Sequence, residues 1–125
     1  MAEQIIISND KLKVTISTRG AEVLSVVDNK DCQFIWPGSP DFWSGHSPVL
    51  FPICGGLRDD KFVFDGKEYN LQKHGYGRFK EFEVEKVTEN SATFLHCSDD
   101  ETKINFPFGF SLFITFKSIL ALYLP

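Results

Sequence analysis

The chain has 125 residues, a formal net charge of −4, and 42% hydrophobic and 24% charged residues. That length fits one domain by the usual range of about 100–200 residues, and the composition is that of a globular protein rather than a disordered one. An acidic chain offers no basic footprint for nucleic acid or an anionic membrane, and no apolar run nears the roughly 20 residues that span a bilayer.

The start Met1-Ala2-Glu3-Gln4 lacks the basic region of a signal peptide, so a cytoplasmic location is expected. Gln4 to Ser8 is a β-branched run ended by Asn9-Asp10. Leu12, Val14 and Ile16 then alternate with polar residues, as in a half-buried strand. Arg19-Gly20 supplies a turn, Ala21 to Val27 reads as the next strand, and Cys32 to Trp36 as another after Asn29-Lys30-Asp31. Pro37 to Pro48 breaks the rhythm with Pro37-Gly38, Ser39-Pro40 and Gly45 and is a loop. Its aromatics, Phe42 and Trp43, are expected to pack beneath it rather than to stack on a ligand.

Asp65-Gly66, between Lys61–Phe64 and Lys67–Leu71, predicts a hairpin with a type I′ turn. Phe79 to Thr88 and Ala92 to Ser98 predict a second hairpin, and Asp99-Asp100-Glu101 a solvated turn. Phe106, Phe108, Phe110, Leu112, Ile114 and Phe116 share one parity and mark one face of a long strand, with regular pairing only after Gly109 because of Pro107. No segment sustains a helical period. The class is all-β, and the 13 phenylalanines favour a sandwich core over a helical bundle.

Cys32, Cys54 and Cys97 form no Cys-x-x-Cys pair, so neither a disulfide framework nor a zinc site is indicated, and reduced, partly buried thiols are expected. Asp59-Asp60 stands at a turn before a strand, where local Asx-type bonding is favoured over paired-carboxylate chemistry or metal binding. His46 and His96 are isolated and receive no role.

The loop His74-Gly75-Tyr76-Gly77-Arg78 carries the functional signal. Its glycines let the backbone bend close to a ligand. Imidazole, phenol and guanidinium together supply donors, an acceptor and a stacking face, a set suited to the hydroxyls and C–H face of a sugar. His74 either donates to sugar oxygens or fixes loop geometry. Arg78 either forks onto hydroxyls or a phosphate, or pairs with a nearby carboxylate. For Tyr76, core packing is favoured over stacking on ligand.

The order Pro48-Val49-Leu50-Phe51-Pro52, Asp65-Gly66-Lys67-Glu68-Tyr69-Asn70-Leu71, His74-Gly75-Tyr76-Gly77-Arg78 and Asn105-Phe106-Pro107-Phe108-Gly109-Phe110, with Leu112 and Ile114, resembles the aldose 1-epimerase (mutarotase) family. It is most similar to the bacterial branch, whose loop commonly reads His-Gly-Phe-Ala-Arg. The resemblance runs from about Ile6 to Phe116 and covers less than half of a family member.

The resemblance implies an antiparallel β-sandwich of the galactose mutarotase-like type, with residues 1–125 as its N-terminal part. It implies a protein that interconverts the α and β anomers of a hexose or hexose phosphate without cofactor or metal. In the family a glutamate takes the proton of the anomeric hydroxyl and a histidine protonates the ring oxygen. Both lie in the later part, so no catalytic residue is expected here and the chain alone is expected to be inactive. His74 matches the family's substrate-contacting histidine and Arg78 the arginine closing its loop. Many relatives have Gly-Arg-Leu where this chain has Gly55-Gly56-Leu57. Arg58, two residues on, would share the face of that missing arginine in an extended segment, although surface exposure is the simpler reading. From Lys117 to Pro125 the sequence leaves the family pattern, which suggests a truncation, a frameshift or an engineered boundary. Two other readings stand beside the enzyme. One is a non-catalytic carbohydrate-binding sandwich, the other a non-functional fragment that self-associates through exposed strand edges.

Overall fold

The computed structural model describes residues 2–119. Met1 and residues 120–125 lie outside the described residues, and with them most of the tail that leaves the family pattern. Strands β1 (Gln4–Ser8), β2 (Leu12–Ser17) and β3 (Glu22–Asp28) form an antiparallel meander in the order β1-β2-β3. The alternation read from the sequence is the one that folds. Ile5 and Ile7 turn inward with Val14 and Ile16, while Ile6 on the other face is 56% exposed. An extra residue between Val23 and Ser25 breaks the β2–β3 register as a bulge.

Asp65 and Gly66 both take positive φ (49° and 74°), as a type I′ turn requires, and join β4 (Lys61–Phe64) to β5 (Lys67–Asn70). A second antiparallel sheet has the order β6-β7-β8, from β6 (Glu83–Val87), β7 (Ser91–Cys97) and β8 (Ser111–Lys117). Ala92, Phe94 and His96 of β7 are buried, and Leu112, Ile114 and Phe116 of β8 pack toward the core. Ile7, Ile16, Ala21, Phe82, Ala92 and Phe94 make one cluster, so the inner faces of the two three-stranded sheets share a core. Phe94 is fully buried, and truncating such a side chain to Ala costs about 3–5 kcal/mol. Backbone bonds tie the sheets at their margins: Ser8 N–H to Glu89 O (2.8 Å), Gly20 N–H to Lys80 O (2.7 Å) and Phe82 N–H to Thr18 O (2.9 Å).

Four expectations need correction. Residues 32–36 form no strand. They make a single bridge, Val27 to Gln33, because the Gln33 side chain takes the Val26 N–H (2.8 Å) and the Asp28 carboxylate takes the Lys30 and Cys32 N–H groups. The turn expected at residues 99–101 opens a short helix, α1 (Asp100–Asn105), capped by Asp99, which accepts from Thr102 N–H while Thr102 Oγ1 accepts from Asp99 N–H. Phe106, Phe108 and Phe110 precede β8 instead of extending it. They build an aromatic cluster with Phe51 and Phe64, with Phe51 and Phe110 centroids 4.9 Å apart. The three cysteines are free and exposed, not partly buried, since each lies on a turn or on the outward parity of a strand.

Candidate functional site

The loop from His74 to Arg78 is held from beneath by one carbonyl. Phe51 O accepts from both Tyr76 N–H (2.9 Å) and Gly77 N–H (3.0 Å), and Phe51 bridges Gly75. His74 and Gly75 both take φ of 66°, and a Cβ at residue 75 would collide with the Phe51 carbonyl. Only glycine fits there. Gly55 and His74 are joined twice, by Gly55 N–H to His74 Nδ1 (2.9 Å) and His74 N–H to Gly55 O (2.8 Å). Because Nδ1 accepts, the neutral ring carries its proton on Nε2.

That ring lines a cleft of about 750 Å³ with Ser17, Arg19, Glu22, Trp43, Leu50, Arg78 and their neighbours. The size and mixed polar and aromatic lining suit a small polar ligand. The cleft lies between the β2–β3 end of the first sheet and the site loop. Gly20, at φ 70°, brings its backbone against Arg78, where a Cβ would stand 2.8 Å from Arg78 O. The Arg78 guanidinium lies over the Phe79 ring (4.6 Å) and donates one bond, to Lys73 O at 3.3 Å. Glu22 anchors the long loop, its Oε1 accepting from His46 N–H (2.9 Å) and Ser47 N–H (3.0 Å). Phe42 and Trp43 are 84% and 50% exposed, so the expectation that they pack beneath this loop is corrected. Its turn carries them outward, and Trp43 forms part of the cleft wall over Gly45.

His74 and Arg78 thus share one cleft. Tyr76, between them, faces the other way and lines a cavity of about 530 Å³ with Asp59, Asp60, Gln72 and Asn105. Its hydroxyl is buried without a hydrogen-bond partner, and its ring packs edge-on to Phe51 and His96. Burial, then the charge of Asp99, pushes the phenol up to about 12. The Thr102 hydroxyl offsets part of this, although it donates to Asp99 O (3.0 Å) and falls short of hydrogen-bond geometry toward Tyr76. Arg58 is exposed at the start of a 3-10 turn and lines neither space. Arg19, Glu22 and Ser17 were not foreseen.

His96, given no role from sequence, is 7% exposed with Nε2 unpartnered, among Tyr76, Phe82 and Phe110. Burial holds its imidazole below the usual range, aided by Lys80 and opposed by Asp99. Among the described residues, no three His, Cys, Asp or Glu side chains are grouped to hold a metal, and no helix is long and apolar enough to cross a membrane.

Two small antiparallel sheets over one core, with a cleft between the end of the first sheet and a glycine-flanked loop, define part of a β-sandwich. Residues 3–117 match the family model for aldose 1-epimerase, and the chain belongs to that family. It is 33% identical over 115 residues to the plasmid-encoded protein LacX of Lactococcus lactis, covering 88% of this chain and 38% of LacX. Among solved structures it superposes on a galactose mutarotase related enzyme of Lactobacillus acidophilus with a TM-score of 0.91 and 40% identity, over 94% of this chain and 39% of that one. A galactose mutarotase-like protein of Lactobacillus casei gives 0.89 and 34%, over 92% and 40%. The chain therefore spans about two fifths of the length of these relatives.

Proposed function

We propose that this chain supplies the sugar-positioning part of an aldose 1-epimerase-like site, within a protein that interconverts the α and β anomers of a hexose in cytoplasmic carbohydrate metabolism. The observation that carries the reading is the locked His74 ring, whose Nδ1 is occupied by Gly55 N–H and whose Nε2–H is left for a ligand in the cleft. That donor can bind the ring oxygen or a hydroxyl of the sugar. Arg78 offers a second set of donors, and the Trp43 face can take the C–H side of the ring. These groups orient the substrate.

Ring opening further needs one group to take the proton of the anomeric hydroxyl and another to give one to the ring oxygen. By the family resemblance, both come from residues beyond this stretch. Glu22, the carboxylate in the cleft lining, is committed through Oε1 to two backbone N–H groups. The 125-residue chain thus binds sugar without catalysing exchange. Proton NMR of freshly dissolved α-glucose, α-galactose and their 6-phosphates tests this. A longer protein carrying these residues should accelerate anomer exchange on at least one of them, and no acceleration by that folded protein would refute the reading.

A further inference from the structure

We propose that His96 is a positioning residue for the sugar site, seated against Tyr76, and that its neutral form holds the site loop in the geometry that binds sugar. The inference goes beyond the reading above and rests on it, since it concerns how the site is held. Alternation along β7 sends Ala92, Phe94 and His96 inward, so an imidazole takes the third core position of a strand whose other two are apolar. Its ring centroid lies 5.2 Å from that of Phe82, 5.5 Å from Phe110 and 6.3 Å from Tyr76. Two of these neighbours lead to the loop. Tyr76 stands between His74 and Arg78, and Phe110 packs at 4.9 Å on Phe51, whose carbonyl holds the Tyr76 and Gly77 N–H groups. His96 is outside the cleft lining and reaches the site through these contacts alone.

Protonation changes what this position can hold. The neutral ring leaves Nε2 buried without a partner, as Tyr76 leaves its hydroxyl. The protonated ring carries a charge and must donate from both nitrogens, and an unpaired buried charge is far less tolerable than an unpaired neutral group. The groups that face it are few. Asp99, the cap of α1, draws the proton, but its carboxylate already accepts from Thr102 N–H (2.8 Å). Lys80 repels it, with an ammonium 5.9 Å from the Tyr76 ring and 2.7 Å from the Glu101 carboxylate on α1. The side chains of Phe82, Phe110 and, across the β7–β8 pair, Leu112 offer no acceptor. To satisfy Nε2–H in the charged ring, the Tyr76 hydroxyl or the Asp99 carboxylate must shift, or the aromatic surround must open to water. Movement of Tyr76 in either event displaces the residue that joins the His74 and Arg78 halves of the loop, so acidification weakens sugar binding.

The test follows amide and imidazole NMR signals of the 125-residue chain from pH 7.5 to 5, with and without glucose or galactose, in the parent, His96→Leu and His96→Gln. Affinity of the parent for the hexose should fall about 5-fold or more beyond any fall in the variants, in which His74 and the rest of the cleft are the same. Reciprocity supplies a readout that needs no variant. If the charged ring weakens binding, bound sugar must make His96 harder to protonate, so its nitrogen-15 titration midpoint should drop when the hexose is present. The Gly75 and Gly77 amides should follow the same midpoint in the sugar-free parent. Affinities that fall in parallel in the parent and a folded variant, or a His96 midpoint unmoved by bound sugar, would overturn the inference and leave the sugar site standing. No hexose-induced shifts in the parent at pH 7.5 would remove the sugar site itself, and the inference with it.

Discussion

Gly55 and His74 hold each other by two hydrogen bonds, one through each backbone N–H, and the acceptor for Gly55 is the imidazole Nδ1 at 2.9 Å. His74 therefore has a structural and a binding face. His74→Ala removes both, and His74→Asn separates them, because Asn Oδ1 can accept the Gly55 N–H in place of Nδ1 and Asn tolerates φ of 66°. In a longer protein carrying these residues, both variants should lose about 5- to 150-fold in kcat/KM, or roughly 1–3 kcal/mol of transition-state stabilisation. Thermal unfolding should show His74→Ala less stable by about 1 kcal/mol and His74→Asn close to the parent. Full activity in the Asn variant would make the histidine purely structural.

The two glycines that flank this interaction differ in a measurable way. Gly75 has φ of 66° and the Phe51 carbonyl where a Cβ would go, while Gly55 has φ of 87° and open space within 4 Å. Denaturant unfolding should show Gly55→Ala costing about 1 kcal/mol from φ alone, and Gly75→Ala about 2–4 kcal/mol because backbone must also move. Similar costs at both positions would mean that the Phe51 contact does not hold the loop.

His96 predicts a pH dependence of stability. Its imidazole is held below 6.5 in the folded state, first by burial. Below that value the unfolded chain binds the proton more readily than the folded one, so stability rises with pH through this window. It is fully present above 6.5 and lost as pH falls from there toward the lowered folded value. Melting temperatures from pH 7.5 to 5 should fall on acidification, and His96→Leu should flatten the part of that slope lying below 6.5. An unchanged slope in the variant would assign the effect to other groups.

Much of the scaffold could be read from local sequence. The hairpin at Asp65-Gly66 was legible because two adjacent residues needed positive φ, and Val14 and Ile16 because strand alternation sends them inward. Helix α1 was missed because six residues hold no sustained period and its cap pairs Asp99 with Thr102 rather than with the usual Glu or Gln. Arg19 and Glu22 were missed for a different reason. Their place in the cleft arises from the pairing of residues 19 and 20 with 81 and 80, a tertiary contact that no local spacing encodes. Arg58 lies outside both cavities, although Leu57 before it is extended as the same-face argument required.

Strand β8 pairs with β7 alone among the named strands, and Phe113 on its outer face is 56% exposed. An open edge beside an exposed aromatic is a template for another strand. Sedimentation of the 125-residue chain should show concentration-dependent self-association, reduced by Thr115→Pro, which takes a backbone N–H from β8. A monomer at all concentrations would show that this edge is protected.

The most direct measurement of the sugar-positioning role is nitrogen-15 NMR of the His74 ring in the 125-residue chain, with and without a hexose or its 6-phosphate. The geometry calls for the Nε2–H tautomer in the free protein, with Nδ1 shifted as an acceptor, and for a change at Nε2 when the sugar enters the cleft. A folded chain whose His74 Nε2 signal is unmoved by every one of these sugars would contradict it.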